Sequence, residues 1–214
     1  MGVKAVIFDF WGTLVSTGTW SPLKQSQQIL RVNTPFSSFV PIFEQAFMTQ
    51  SFKDQHEAFT KVCEAFDVAP IPIVLEKLIG VWNTNKILAK LFPETMEVLE
   101  WLKSNKYKLA LISNTDCFGI ETVIEKFELT KFFDSIQFSF KTGLLKTDPK
   151  AFDVLLKELK VKKNEVVMVG DSIESDMKGA EQAGITGVLV DRRGMREYTN
   201  KIKDLHELKT FLEK

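Results

Sequence analysis

The sequence predicts an α/β protein, a doubly wound and mostly parallel sheet interrupted once by an all-helical insertion. Three observations carry this reading. Short apolar, β-branched runs recur along the chain; amphipathic stretches of helical length separate them; and one long interval near the start lacks such runs. Strands alternating with helices in this way build parallel sheets covered on both faces.

The first run, residues 3–8 (VKAVIF), stops abruptly at Asp9. Similar runs follow at residues 109–113 (LALIS), 135–140 (SIQFSF), 166–170 (VVMVG) and 187–191 (GVLVD). Continuous apolarity without alternation suits strands buried on both sides. Between them, residues 93–103 place Met96, Leu99 and Leu102 at three-residue steps, with Val98 and Trp101 widening the stripe. Residues 122–129, 149–159 and 173–183 show comparable helical patterning. From Leu14 to Phe92 no strand is expected, and proline and polar residues divide the interval around Pro22, Pro35, Pro41, Ser51 and Pro70–Pro72. Phe36, Phe39, Phe43 and Phe47 recur at three- and four-residue steps, as do Phe59, Val62, Cys63 and Phe66. This spacing predicts a helix bundle with its own core. The expected organisation is an α/β core from residues 1–15 and 93–214, with a helical domain at 16–92.

Composition narrows the function. The chain has 214 residues, 44% hydrophobic and 26% charged, with a formal net charge of zero. No broad field favours nucleic acid or an acidic membrane, so a small-molecule substrate is expected. No apolar run reaches the roughly 20 residues of a membrane span. The opening MGVKAVIFDF reads as a strand rather than a secretory signal. Cys63 and Cys117 form no metal-spaced pair, which fits a reducing, cytoplasmic setting.

Polar residues cluster where strands end. Asp9 is followed by Phe10, Trp11, Gly12 and Thr13; Ser113 and Asn114 end the second run; Lys146 precedes a helix; Asp171 ends VVMVG, with Asp176 five residues on. Singly, each is an ordinary turn residue, helix cap or solvated charge. Together they stand at the carboxyl ends of strands, where open α/β sheets form their sites. Asp171 and Asp176 lie about 140° apart around an ideal helix, so a loop must redirect one of them.

These segments (FDFWGTL, ISNT, the Lys146 region, and VGDSIESD followed by GAEQAG) resemble the four motifs of haloacid dehalogenase-like hydrolases. The resemblance spans nearly the whole chain and implies a parallel-sheet core that carries the chemistry, with the helical insertion as a substrate-selecting cap. It implies a Mg²⁺-dependent phosphatase acting on a small phosphorylated metabolite, with Asp9 as nucleophile. Catalysis is then expected of Asp9, Thr13, Ser113 and Lys146, and substrate contact of Trp11, Gly12, Ser113, Asn114 and Lys146. Metal ligation falls to Asp9, Asp171 and the Trp11 carbonyl, with Asp176 as a further ligand or an acceptor behind them. Gly12 permits a tight turn if its φ is positive.

One departure stands out. Phosphatases of this family usually carry a second aspartate two residues after the nucleophile, for proton transfer, and this chain has Trp11. An indole N–H only donates a hydrogen bond. The residue predicts a preference for leaving groups that need no proton, unless another acid such as Asp116 or Asp176 supplies one. The 2-haloacid dehalogenases also place an aromatic residue here, use no metal, and hold the substrate carboxylate with a cap arginine, for which Arg31 is the candidate. Metal-free dehalogenation and a low-turnover binding role therefore stay open beside the phosphatase. His56 and His206 form no evident catalytic pair.

Overall fold

In the computed structural model, which describes residues 2–18 and 20–213, β1 (Ala5–Phe8) lies at the centre of the sheet. The other strands are β4 (Lys108–Ser113), β5 (Ser135–Phe138), β6 (Val166–Gly170), β7 (Thr186–Val190) and β8 (Lys201–Ile202). Their order is β5-β4-β1-β6-β7-β8, with every neighbouring pair parallel. The chain thus winds outward from β1 in both directions, and the carboxyl end of β1 is the crevice where winding reverses.

Alternation along each strand sorts the core into two layers. Val6, Phe8, Leu109, Leu111, Val167 and Val169 face one side. There they meet Val98, Leu99 and Leu102 of α5 (Thr95–Ser104), Ile120, Val123 and Ile124 of α6 (Ile120–Lys126), and Leu208 of α10 (His206–Leu212). Ala5, Ile7, Ala110, Ile112, Val166 and Met168 face the other. That layer is closed by Ala151, Phe152, Leu155 and Leu159 of α8 (Pro149–Leu159), and Ala180 and Ala183 of α9 (Lys178–Ala183).

Residues 16–92 fold mainly as α1 (Pro22–Leu30), α2 (Phe36–Phe47), α3 (Gln55–Ala65) and α4 (Pro72–Ile87). Phe39, Phe43, Phe47, Phe59, Val62, Cys63, Leu78 and Trp82 form a third apolar cluster within them. Ser21 caps α1 and Asp54 caps α3, each side chain accepting from the backbone N–H three residues on.

The expected absence of strands in this interval is corrected at its ends. Val15–Ser16 (β2) pairs antiparallel with Lys90–Leu91 (β3), a two-residue ribbon tying the entry of the helical segment to its exit. Two other expectations shift. The run at 135–140 ends as strand at Phe138, because Ser139–Thr142 turns into a helical turn, α7, closed by Gly143 at φ 72°. Residues 173–183 are helical throughout as expected, but the first turn, Ile173–Met177, is π-helical before α9.

Candidate active site

Parallel register sets three chain segments side by side. Phe8 lies level with Leu111 of β4 and Val169 of β6, so Asp9, Ser113 and Asp171 emerge at nearly the same height. Behind Asp9 the chain turns tightly: Gly12 N–H donates to the Val15 carbonyl at 2.7 Å, and Leu14 and Val15 N–H both donate to the Phe10 carbonyl. Among the described residues no backbone N–H of the turn donates to the Trp11 carbonyl. Gly12 has φ 82°, and a Cβ there would lie 2.5 Å from Asp171 Oδ2, so both conformation and space require glycine. Gly170 is similarly confined, since a Cβ would strike the Asp176 carboxylate.

Asp9 is buried and held at both oxygens. Thr13 Oγ1 donates to Oδ2 at 2.9 Å, and the Lys146 ammonium pairs with Oδ1. Lys146 also pairs with Asp176 Oδ1 at 2.7 Å, and Asp176 Oδ2 accepts from Ser172 N–H at 3.0 Å. The π-helical turn thus does what the spacing demanded: it swings Asp176 back toward Asp171. Ligand oxygens of Asp9, Asp171 and Asp176 all lie within 4.8 Å of one another.

Crowding of this kind is costly without a cation. Burial, reinforced by the neighbouring Asp176, raises Asp9 to about 6 against the pull of Lys146. Burial, with Asp9 and Asp176 beside it, raises Asp171 to about 8. Burial alone would lower Lys146, but the Asp176 and Asp9 carboxylates outweigh it and hold the ammonium above its usual range. Three hard oxygen donors with a spare carbonyl nearby suit Mg²⁺, which takes oxygen ligands and keeps several waters.

The other expected residues are placed as follows. Ser113 Oγ is buried and has no hydrogen-bond partner among the described residues, leaving a hydroxyl available to a ligand. The Asn114 side chain is a junction: Oδ1 accepts from Lys146 N–H at 3.0 Å, and Nδ2 donates to Ser175 Oγ at 3.0 Å and Glu44 Oε2 at 2.7 Å. The half-buried Trp11 packs edge-on against Phe10 at 4.8 Å, and its N–H reaches Thr115 Oγ1 at 3.5 Å. His56 and His206 are exposed and pair with Glu76 and Glu97. Arg31 is exposed at the end of α1.

Around the site Glu44, Arg192 and Arg196 escaped sequence reasoning, while Asp116 entered it only as a spare acid. Glu44, from α2, is buried and touches Asn114. It is the sole charge in FSSFVPIFEQAF and sits four residues after Val40 and three before Phe47, both buried. A charge on the apolar stripe of a helix was the available signal. Asp116 links the halves, accepting from Trp82 Nε1 at 2.6 Å and Lys86 Nζ at 2.8 Å. Arg196 donates to the Asp171 and Val190 carbonyls and pairs with Asp191, fixing the loop after β6. Arg192 donates to the Thr13 carbonyl and Glu94, steadying the turn after β1 from below.

Comparisons with known proteins agree with this geometry. The glyceraldehyde 3-phosphate phosphatase of Methanothermobacter thermautotrophicus is 25% identical over an alignment covering 98% of this chain and all of that protein. The crystal structure of a HAD phosphatase from Thermococcus onnurineus superposes with a TM-score of 0.64 at 25% identity, covering 98% of each chain. A 2-haloacid dehalogenase from Pseudomonas syringae shares the fold, with a TM-score of 0.65 at 20% identity over 99% of this chain and 98% of that one. The model of a hydrolase family, the haloacid dehalogenase-like hydrolases, matches residues 3–184 and so takes in Asp9, Ser113, Lys146, Asp171 and Asp176 together. On that match, and on a site assembled at the reversal point of a parallel sheet, the chain belongs to the haloacid dehalogenase-like hydrolase family.

Proposed function

We propose that this protein is a cytoplasmic Mg²⁺-dependent phosphatase of small phosphorylated metabolites, with residues 16–92 as a cap over the site. The observation that carries the reading is the acidic trio, Asp9, Asp171 and Asp176, gathered around Lys146. The names of the relatives, glyceraldehyde 3-phosphate phosphatase and phosphorylated carbohydrates phosphatase of Thermotoga maritima, support the substrate class.

An Asp9 oxygen attacks phosphorus in line, the bond to the leaving oxygen breaks, and an aspartyl-phosphate forms that water then cleaves. Thr13 and Lys146 orient the carboxylate, and Lys146 offsets the charge of two anions brought together. The Ser113 hydroxyl and nearby N–H groups receive the phosphoryl oxygens, while Gly12 lets the backbone approach. Asp9, Asp171, Asp176 and the Trp11 carbonyl would hold Mg²⁺, which supplies further positive charge beside the transferring group.

Trp11 is the feature that favours dehalogenation instead. That reading needs a cationic group for the substrate carboxylate, and Arg31, exposed at the end of α1, makes no side-chain hydrogen bond or ion pair with the residues of the site among the described residues. It also leaves three crowded carboxylates without a purpose.

The test is a panel of phosphate esters and 2-haloacids with and without Mg²⁺, with acid quenching to trap an acid-labile phosphoenzyme. Wild type should cleave esters only with metal. Asp9→Asn should abolish turnover and trapping, a loss of roughly 10⁴–10⁶-fold. Asp171→Ala should weaken Mg²⁺ binding and activity together. Robust activity in EDTA, indifferent to Asp171→Ala, would sink the metal-dependent reading.

A further inference from the structure

Cleaving an alkyl phosphate requires a proton at the leaving oxygen, and Trp11 stands where a proton donor would be expected. Both acids named from the sequence as substitutes are otherwise committed. Asp116 accepts from Lys86 Nζ and Phe118 N–H at Oδ1 and from Trp82 Nε1 at Oδ2. Asp176 accepts from Lys146 at Oδ1 and from Ser172 N–H at Oδ2. In both carboxylates each oxygen already accepts a hydrogen bond, so neither presents an unengaged oxygen to a leaving group.

Glu44 differs in each respect. Its Oε2 takes one hydrogen bond, from Asn114 at 2.7 Å, and its Oε1 takes none among the described residues. Asn114 in turn accepts from the Lys146 N–H and donates to Ser175, one residue before Asp176. A cap carboxyl therefore enters the hydrogen-bond network of the nucleophile, 7% exposed, on the helix that packs against the π-helical turn.

We propose that Glu44 is the proton-transfer residue of the reaction, delivered by the cap in place of the aspartate that Trp11 replaces. This rests on the phosphatase reading of Asp9. As the bond from phosphorus to the leaving oxygen breaks, its electron pair stays on oxygen, which takes the Glu44 proton. In the second step water attacks the aspartyl-phosphate and gives its proton to the Glu44 carboxylate. The phosphorus–Asp9 bond breaks, and its electron pair returns to the Asp9 carboxylate. The sum is ester plus water giving alcohol plus phosphate. Burial raises Glu44 to about 7; Lys146 opposes this, while Asp176 and Asp9 add to it. A group near neutrality can serve as acid and base in turn. Because α2 carries Glu44, chemistry is confined to the state in which the cap covers the site and water is limited.

The experiment compares β-glycerophosphate with p-nitrophenyl phosphate, and a series of aryl phosphates, at saturating Mg²⁺. Wild type should show a shallow dependence on leaving-group pKa. Glu44→Gln, which keeps the shape and a partner for Asn114, should cut β-glycerophosphate turnover by about 10²–10⁴-fold. With p-nitrophenyl phosphate the same variant should retain the burst of p-nitrophenolate and then stall as phosphoenzyme. Glu44→Asp should restore part of the alkyl activity. Equal loss of the burst and of alkyl cleavage would make Glu44 merely structural and overturn the proposal, as would no loss of either. If Glu44→Gln does not fold, by circular dichroism and Mg²⁺ affinity, the wild-type series decides, and a steep dependence overturns it. Wild type that cleaves neither ester and traps no phosphoenzyme would overturn the phosphatase reading itself, and this proposal with it.

Discussion

The sheet and the four-helix segment hold their parts in place by different physics. In the sheet, strand pairing fixes the level of each residue to its neighbours, so Asp9, Ser113 and Asp171 cannot slip relative to one another without breaking a ladder. In the helical segment, Phe43 stacks on Trp82 at 5.3 Å and tilts against Phe39 at 5.6 Å and Phe47 at 5.5 Å. Such rings bury much apolar area, and the hydrophobic attraction that gathers them has no direction of its own. Among the described residues the side-chain hydrogen bonds between the two regions are few: Glu44 to Asn114, Trp82 to Asp116, Lys86 to Asp116 and the Phe118 carbonyl, and the Phe52 backbone to Cys117. The contrast places fixed geometry at the acidic trio and adjustable packing in the helical segment.

The largest expected effect tests whether the regions are separable. Phe43 and Phe152 are both fully buried, one in each region. Truncation of either to alanine should cost about 3–5 kcal/mol. Phe43→Ala should leave Mg²⁺ affinity near wild type while turnover falls, because no ligand of the acidic trio comes from the helices. Phe152→Ala should weaken metal binding too, since its ring lies beside the chain that carries Lys146. Urea unfolding followed by tryptophan emission, with Trp82 in one region and Trp101 in the other, would report each. Equal loss of metal affinity in both variants would break the comparison.

The same contrast explains what could be read in advance. The strands announced themselves because burial on both faces leaves an apolar run, and Asp9, Ser113 and Asp171 were legible because they end such runs. The start of β1 was less so: residues 3–8 are uniformly suitable, but pairing begins at Ala5 opposite Lys108 and Val166. The end of β5 was hidden because Ser139 Oγ binds the Thr115 backbone, a tertiary contact that no local pattern encodes. The π-helical turn was hidden likewise, since Asp176 is turned by Lys146 and Ser172 N–H. Glu44 was least visible. An acid on a helix ordinarily faces solvent, and only the packing of α2 across Asn114 makes it part of the site.

A smaller effect concerns the links themselves. Trp82→Phe keeps an aromatic ring within the cluster of Phe43, Phe47 and Phe59 but removes the N–H that reaches Asp116. A hydrogen bond to a charged group is worth about 1.5–3 kcal/mol. Since this one crosses between regions, kcat/KM should fall roughly tenfold or more while the rate of phosphoenzyme formation at saturation changes little. A loss of thermal stability with kcat/KM unchanged would assign the link to stability alone.

The smallest effect separates the regions by their protons. In the metal-free protein burial and mutual repulsion raise Asp9 from 3.8 to about 6 and Asp171 from 3.8 to about 8. Carboxyls that hold their protons more tightly when folded stabilise the fold at low pH, and that contribution is lost as pH rises through their folded values. The metal-free protein should therefore lose stability from about pH 4 upward until Asp171 is ionised. A divalent cation reverses the preference, because it stabilises the ionised carboxylates and must displace their protons to bind. The rise in Tm on adding Mg²⁺ should accordingly be larger at about pH 8.5 than at about pH 5.5. A difference of 1 kcal/mol would appear as about 2–4 °C in a chain of this size. Thermal unfolding with and without Mg²⁺ across that range measures it directly. Asp171→Asn should flatten the upper part of the profile and abolish most of the Mg²⁺ response. Glu44, raised by burial from 4.5 to about 7, contributes to the same decline but belongs to the helices. Glu44→Gln should remove the middle of the metal-free decline and leave the Mg²⁺ response in place. A Mg²⁺ response that vanished with Glu44→Gln would put that carboxyl among the metal's ligands and erase the division between the two regions.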